Sequence, residues 1–392
     1  MALICTLPAQ AGGRRQMNAL VGGRIDASLV TLRRSVEAVG DSLSFPTYGE
    51  SGHWKLRPSN DWVSGFYGGC LWYAYALSGD PSFETLAKKW TTGIEKEKYN
   101  RKTHDLGFRF MCTFGNAMRF SEDESFKSFC QSVRDTASVT LSKRFHPGFA
   151  ALSSDWDRKP VPGTVPCVID IMMNLEILFE TALSTGRREL YDMAVTHAET
   201  TWKDFVRSDG GTYHIVRYDK DSGAVVDRGQ LQGDTTESTW SRGHAWLVYG
   251  MVVAYRYTGD EKYLRYALSA ADYFIGHLNE DGIAPWDFQS EDRQPDASAS
   301  AVVTSALYEA VTYLPSGKRR TYYSGWADRM LAALCSDAYF VGDRTDCLLD
   351  HSVQYYHLGH NVNKPAIFAD YYFMEALYRY SSLHMGRHRQ KR

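Results

Sequence analysis

Apolar positions along the chain fall into two alternating kinds of segment. Cys167 to Leu183 carries apolar residues on nearly all sides, the pattern of an inner helix buried all round. Glu261 to Leu278 is apolar on one face only, the pattern of an outer helix. Between such segments one punctuation recurs: a turn with Gly or Asp, then an aromatic residue that opens the next helix. It reads Leu77-Ser-Gly-Asp-Pro-Ser-Phe83, more loosely Phe120-Ser-Glu-Asp-Glu-Ser-Phe126, then Ser184-Thr-Gly-Arg-Arg-Glu-Leu-Tyr191 and Tyr257-Thr-Gly-Asp-Glu-Lys-Tyr263. A last copy is Leu314-Pro-Ser-Gly-Lys-Arg-Arg-Thr-Tyr-Tyr323. Gly supplies the left-handed residue that ends one helix, and Asp or Ser caps the next. The aromatic then meets a small residue one turn on, as in Phe83/Ala87, Tyr263/Ala267 and Tyr323/Ala327. Strand signals are confined to Thr212–Tyr218, which alternates and precedes the turn Asp219–Gly223. The pattern predicts an all-α, hairpin-built fold. Closing six such pairs would make an (α/α)6 toroid with polar loops at one mouth, although periodicity alone does not establish closure. No Pro/Ser-rich linker divides the chain, so a single domain is expected over residues 23–384, after a loose leader (1–22) and before a basic, disordered tail (385–392).

Composition narrows the classes. The 392 residues hold 44 Lys+Arg against 46 Asp+Glu, a net charge of −2, which gives no face for nucleic acid. Hydrophobic residues at 44% exclude wholesale disorder, and no apolar run approaches membrane-spanning length. Aromatics reach 14%, enough both to fill a core and to build platforms on which sugar rings stack. Seven Cys, an odd number without a CxxC pair, argue against a disulfide framework or a zinc site and fit a reducing cytoplasm. The apolar run Ala2–Leu7 is short and follows no basic residue, so the leader reads as unexported. Oligomeric state is expected to be monomer or dimer.

The chain has no phosphate-binding Gly loop, nucleophile elbow or HExxH. His351, His357 and His360 lie close together, but no carboxylate or Cys pattern completes a ligand set, so no metal or other cofactor is expected. Carboxylates in costly positions are better candidates. Asp170 is flanked by apolar residues in Cys167-Val-Ile-Asp-Ile-Met-Met-Asn-Leu-Glu-Ile-Leu178. Such a buried Asp is either paired structurally or held with a raised pKa for proton transfer. Asn174, one turn on, shares its face and is placed to orient it. Asp105, where a loop enters a helix, is either an N-cap or a functional carboxylate. Arg242 and Trp246, one turn apart, pair a planar cation with an aromatic plate that would suit an anionic sugar; a solvated Arg beside a core Trp is the alternative. Trp62, Trp72 and Trp156 adjoin polar loops of the kind expected at a toroid mouth, although core positions would explain them too.

Several motifs occur in one order from Trp62 to Tyr378: Trp62-Val-Ser-Gly-Phe-Tyr-Gly-Gly-Cys-Leu-Trp72, His104-Asp-Leu-Gly-Phe108, Ile169-Asp-Ile-Met-Met-Asn-Leu-Glu176 and Gln232-Gly233. Trp240-Ser-Arg-Gly-His-Ala-Trp246, Trp286-Asp287-Phe288, Asp296-Ala-Ser-Ala299 and Asp370-Tyr-Tyr372 follow. Together they resemble the unsaturated glucuronyl hydrolases, glycoside hydrolase family 88. The resemblance implies an (α/α)6 toroid that removes 4,5-unsaturated uronic acid from the non-reducing end of lyase-generated oligosaccharides. It implies Asp170 as general acid/base and Asp105 as the second essential Asp, binding ring hydroxyls. It places His214, Gln232 and Arg242 in the pocket, with His104 and Asn174 beside the two Asp, and Trp62, Trp156 and Trp246 as aromatic walls. Ile171, His244 and Ala369 depart from the family's pattern, and Ile171 and His244 are expected to border the pocket.

The chemistry so implied is hydration of a vinyl ether, which needs one carboxyl group that gives and then takes a proton. Ordinary glycosidases instead flank the anomeric carbon with two. Asp170 is therefore expected to have its pKa raised by burial and by Asp105 as a like charge. The competing readings are an unsaturated rhamnogalacturonyl hydrolase on pectin fragments, an ordinary glycosidase on the same toroid, and a silent carbohydrate-binding protein.

Overall fold

The alternating apolar and one-faced segments fold into six helical hairpins arranged in a ring. The structure is a computed structural model and describes residues 11–154 and 156–386. Helix α1 (Ala11–Val39) is an outer helix, followed by the pair α2 (Ser64–Ser78) and α3 (Pro81–Thr92). The next inner element is broken: α4 (Leu106–Phe110) passes through a π-helical turn, Met111–Gly115, into α5 (Asn116–Phe120), and α6 (Glu124–Ser142) covers it. The pairs α7 (Glu176–Thr185) with α8 (Arg188–Phe205), α9 (Ser241–Thr258) with α10 (Glu261–Gly276), and α11 (Ala297–Tyr313) with α12 (Lys318–Leu334) continue the ring. The last helix, α13 (Ile367–His384), is an inner one packed between α11 and α2, and α1 lies against its outside. The two ends of the chain thus supply the sixth hairpin, the closure that periodicity alone could not establish.

At four of the five turns at least one of the expected devices is present; at the fifth, α11 ends at an extended Leu314 and Gly317 stands as the N-cap of α12 without a side-chain cap. Gly79, Gly186 and Gly259 end their helices at φ 70°, 73° and 64°. Asp80, Asp123 and Asp260 cap the helices that follow by accepting the backbone N–H of Ser82, Phe126 and Lys262. Phe83, Ala87, Tyr263, Ala267, Tyr323 and Ala327 are all buried. The ring's axis is filled: Glu375, on α13, accepts hydrogen bonds from Tyr73 (2.6 Å), Tyr249 (2.9 Å) and Ser305 (2.7 Å) and lies 3.4 Å from the Arg379 guanidinium.

Strands are more numerous than the sequence suggests. They form the hairpin β1 (Phe45–Glu50)/β2 (His53–Arg57), the short pair β3 (Phe145–His146)/β4 (Ala151–Leu152), and an antiparallel sheet of β5 (Thr164–Val168), β6 (Ile215–Asp219) and β7 (Val225–Gly229). A last hairpin joins β8 (Ser352–Tyr355) to β9 (His360–Lys364). Every strand lies in a connection from an outer helix to the next inner one. Connectivity therefore puts them all at one end of the ring, since the tight inner-to-outer turns occupy the other.

Two expectations are corrected. Cys167–Leu183 is not one helix: Cys167 and Val168 belong to β5, Ile169–Asn174 is a 3₁₀ turn, and the α-helix starts at Glu176. An apolar run cannot distinguish a buried strand from a buried helix, and here pairing with β6 (Cys167↔Val216, Val168↔Ile215) decides. The leader expected through residue 22 is already helical from Ala11. Residues 1–10, and 387–392 of the expected tail, lie outside the described residues.

Candidate active site

The six outer-to-inner connections, with the first turns of the inner helices, carry nearly every residue singled out by sequence. Asp170 follows β5, in the first turn of the 3₁₀ segment. Strand pairing continues one step past Val168, where Ile169 N–H donates to the His214 carbonyl (3.0 Å). That register brings His214 Nε2 to 3.3 Å from Asp170 Oδ2, a long contact, and no better donor reaches this enclosed oxygen among the described residues. The Asp170 side chain as a whole remains 20% exposed, so its remaining surface faces the mouth. His214 is held on its other side: Nδ1 accepts the Gln232 N–H (3.2 Å) and the ring stacks on Trp240 at 4.6 Å. A ring nitrogen that accepts carries no proton, so the hydrogen of neutral His214 sits on Nε2, aimed at Asp170.

Burial pushes the Asp170 carboxyl up, but the hydrogen bond from His214, with the nearby His104 and Arg242, outweighs it. Its pKa lies below the ordinary carboxylate value, which reverses the expectation of a raised one. Asp105 is not among the principal influences on it.

Asp105 occupies the N-cap position of α4, yet its side chain accepts no helical N–H. The carboxylate turns instead to Thr103 Oγ1 (3.3 Å) and His104 Nε2 (3.5 Å). The N-cap alternative fails on this geometry. Asn174 braces the two acidic segments: its Oδ1 accepts the Phe108 N–H (2.9 Å) and its Nδ2 points to the Asp170 carbonyl (3.4 Å). Asn174 is wholly buried, so it offers a ligand no surface. The close approach requires Gly107, because a Cβ there would overlap Asn174.

Arg242 departs from expectation. Its guanidinium is 2% exposed, pairs with Asp296 (2.6 Å) and donates to the Val353 carbonyl (2.6 Å). It lies over the rings of Trp240 and Phe368, not beside Trp246. Trp246 is core, 1% exposed against Phe108 and Tyr372, and is no wall of the mouth. The cation–aromatic pair read from one-turn spacing fails because the Arg242 side chain turns toward the loops, whereas Trp246 faces the ring axis. Ile171 and His244 are wholly buried too; His244 bonds to Thr212 and to the Ala270 carbonyl of α10. Trp72 is core.

Trp62 and Trp156 are half-buried. Trp62 rests on Phe66, Phe108 and Phe368, and Trp156 stands 6.0 Å from the His214 ring and 5.9 Å from Tyr355. Gln232 Nε2 donates to the Gln354 carbonyl (2.8 Å), tying its loop to the β8–β9 hairpin. Tyr355, Arg158 and Trp240 escaped sequence reasoning. Tyr355 sits in a short strand without a helical signature, and Arg158 in a loop with no motif. Trp240 is marked in the sequence only as the first residue of the Trp240–Trp246 run. The three C-terminal histidines have separate environments: His351 meets Asn363, His357 meets Asp234, and His360 is exposed. Among the described residues no cluster of three or more His, Cys, Asp or Glu could hold a metal ion.

A helical toroid that gathers partly buried carboxylates and half-exposed tryptophans at one mouth defines a carbohydrate-active hydrolase. The sequence model of Glycosyl Hydrolase Family 88 matches residues 43–376, and the chain belongs to that family. It is 37% identical over 333 residues to the unsaturated glucuronyl hydrolase of Formosa agariphila, covering 83% of this chain and 81% of that one. It is 28% identical over 367 residues to the unsaturated chondroitin disaccharide hydrolase of Streptococcus agalactiae, covering 91% and 90%. The crystal structure of an unsaturated glucuronyl hydrolase specific for heparin superposes with a TM-score of 0.87 at 34% identity, covering 93% of this chain and 98% of that one.

Proposed function

We propose that this enzyme removes 4,5-unsaturated glucuronic acid from the non-reducing end of glycosaminoglycan fragments by hydrating the C4=C5 bond, with Asp170 as general acid and base. The observation that carries the reading is the partly exposed Asp170 carboxyl at the mouth, backed by a His214 whose tautomer is set by Gln232. Trp62 and Trp156 would cover the apolar faces of the terminal ring, and Asp105 with His104 would receive its hydroxyls. Asp170 protonates C4, and positive charge spreads over C5 and the ring oxygen. Water adds at C5 while Asp170, now a carboxylate, takes its proton. The hemiketal opens and the glycosidic bond falls apart afterwards.

The lowered pKa of Asp170 leaves it ionised before substrate arrives. The substrate supplies the correction. Its C6 carboxylate is bonded to C5, next to the carbon that Asp170 must reach, so binding brings a like charge against Asp170 and expels water. Both effects raise the pKa and draw in the proton to be transferred. The chemistry asks for no cofactor. The six described cysteines are buried thiols, which supports a reducing, cytoplasmic compartment.

The test is where oxygen and hydrogen enter. In labelled water, oxygen should appear as the C5 keto oxygen of the released fragment, the reducing sugar should stay unlabelled, and in D₂O one deuteron should reach C4. The unsaturated chromophore should vanish with turnover, and D170N should lose at least about 10²–10⁴-fold while remaining folded. Label at the anomeric carbon with a surviving double bond would overturn the mechanism.

A further inference from the structure

The motif Asp370-Tyr-Tyr372 lies near the start of α13, and its side chains go two ways. Tyr371 and Tyr372 turn to the ring: the Tyr371 hydroxyl accepts from Asn116 Nδ2 (3.1 Å), and the Tyr372 ring meets Trp246. Asp370, 1% exposed, turns instead to the connection that runs from α12 to α13. Its two carboxyl oxygens accept the backbone N–H groups of Leu348 (2.8 Å) and Leu349 (2.9 Å), both buried residues. Among the described residues the cost of burying this carboxyl is opposed by those backbone donors and not by a cation.

Just past this clamp the chain turns through His351, whose φ of 64° is left-handed and uncommon for a residue with a Cβ. Such a conformation persists where its surroundings fix it from both sides. On one side are the Asp370 bonds. On the other, β8 begins at Ser352 and its carbonyls are taken by residues of the mouth. Arg242 Nη1 donates to the Val353 carbonyl (2.6 Å) and Gln232 Nε2 to that of Gln354 (2.8 Å). The Gln232 N–H in turn meets His214 Nδ1 (3.2 Å), and His214 Nε2 meets Asp170 (3.3 Å). The short path Leu349–Gln354 therefore joins a wholly buried carboxyl to the bond that sets the tautomer of His214.

We propose that Asp370 is a positioning residue for the reaction: by clamping Leu348 and Leu349 it fixes the β8 carbonyls on which Gln232 and Arg242 rest, and through Gln232 the alignment of His214 on Asp170. The proposal rests on the hydrolase reading above. An amide at 370 keeps the shape but offers a single acceptor oxygen, so one backbone N–H then faces an NH₂ group and the clamp opens. Displacing catalytic groups by about 1 Å costs on the order of 10²-fold, so a partial release should cost about tenfold in kcat/KM.

The test is a double-mutant cycle on turnover of an unsaturated chondroitin disaccharide, with the folded fraction counted by circular dichroism. Asp370→Asn should lose about tenfold in kcat/KM per folded molecule. In the Gln232→Leu background, where the tie to the Gln354 carbonyl is already cut, the same change should cost about threefold or less. Asp370→Ser, which keeps one acceptor, takes its place if the Asn variant does not fold. A residue that only stabilises the fold would lower the urea midpoint and leave kcat and KM of the folded molecules unchanged. Folded D370N within about twofold of wild type, or equal losses in the two backgrounds, overturns the inference. So does loss of the fold in both the Asn and the Ser variants, which would make Asp370 a determinant of the fold and not of the site. Wild-type turnover separates the two readings. If the wild type leaves the disaccharide unhydrated, the hydrolase reading falls and this one with it; if it hydrates the disaccharide and D370N does so equally well, the role of Asp370 alone falls.

Discussion

Gly107→Ala tests whether the two acidic segments are braced against each other as the site requires. Gly107 lies two residues after Asp105 and is pressed onto Asn174, four residues after Asp170. An alanine Cβ would overlap the Asn174 Cα and stand 2.8 Å from its Oδ1 and 2.9 Å from its Cβ. The nearest atom is backbone, so a side-chain rotation cannot relieve the contact and α4 must move away from the 3₁₀ turn. Overpacking of this kind costs about 1–3 kcal/mol. The movement also stretches the buried bond from Phe108 N–H to Asn174 Oδ1, and a buried donor left unpaired costs about 1–3 kcal/mol more. Together they predict a loss of roughly 2–6 kcal/mol in urea unfolding. A shift of about 1 Å between catalytic groups costs on the order of 10²-fold in rate. Turnover should fall to that extent at temperatures where circular dichroism still reports a folded helical protein. Asn174→Ala should not rescue G107A, because it removes the side chain and leaves the Cα. A G107A enzyme within about 0.5 kcal/mol and twofold of wild type would refute the bracing argument, since that falls inside the range of an indifferent substitution.

Arg242→Met should destabilise the protein by about 3–5 kcal/mol in urea, because it leaves Asp296 charged and buried without its partner. It should weaken ligands with and without a uronate carboxylate alike; selective loss of the carboxylate-bearing ligand would return Arg242 to the binding site. His244 is pushed down to about 4 by burial, its largest influence. The folded protein therefore keeps it neutral while the unfolded chain binds a proton below about pH 6.5. Its contribution is complete above that pH and lost as pH falls toward 4. His244→Gln, which can still donate to the Ala270 carbonyl and accept from Thr212, should flatten the acid limb of stability without changing turnover at pH 7.5. Disaccharide binding to the D105N variant, followed by calorimetry in buffers of different ionisation heat, should take up close to one proton near pH 6, and D105N/D170N should take up none.

Much of the architecture was legible because it is written in local chemistry. Left-handed glycines at 79, 186 and 259, the Asp caps at 80, 123 and 260, and aromatics facing alanines one turn on each act within a few residues. Asp170 stood out because a carboxylate among Ile, Val and Met is costly wherever the chain places it, and Asp105 because it opens a helix. What the sequence could not decide depends on partners distant along the chain. Whether Cys167 and Val168 belong to a helix or a strand was settled by β6, nearly fifty residues on. The pKa of Asp170 fell rather than rose because that same pairing delivers His214 to its carboxyl, and an apolar flank says nothing about a donor arriving from another strand. Arg242 and Trp246 share a helix turn but not a destination: Asp296 and the Val353 carbonyl draw one toward the loops, and Tyr372 and Phe108 enclose the other. Helical spacing fixes the direction in which a side chain leaves its helix, whereas its charge state, its partner and its access to the mouth are set by what the closed ring packs against it.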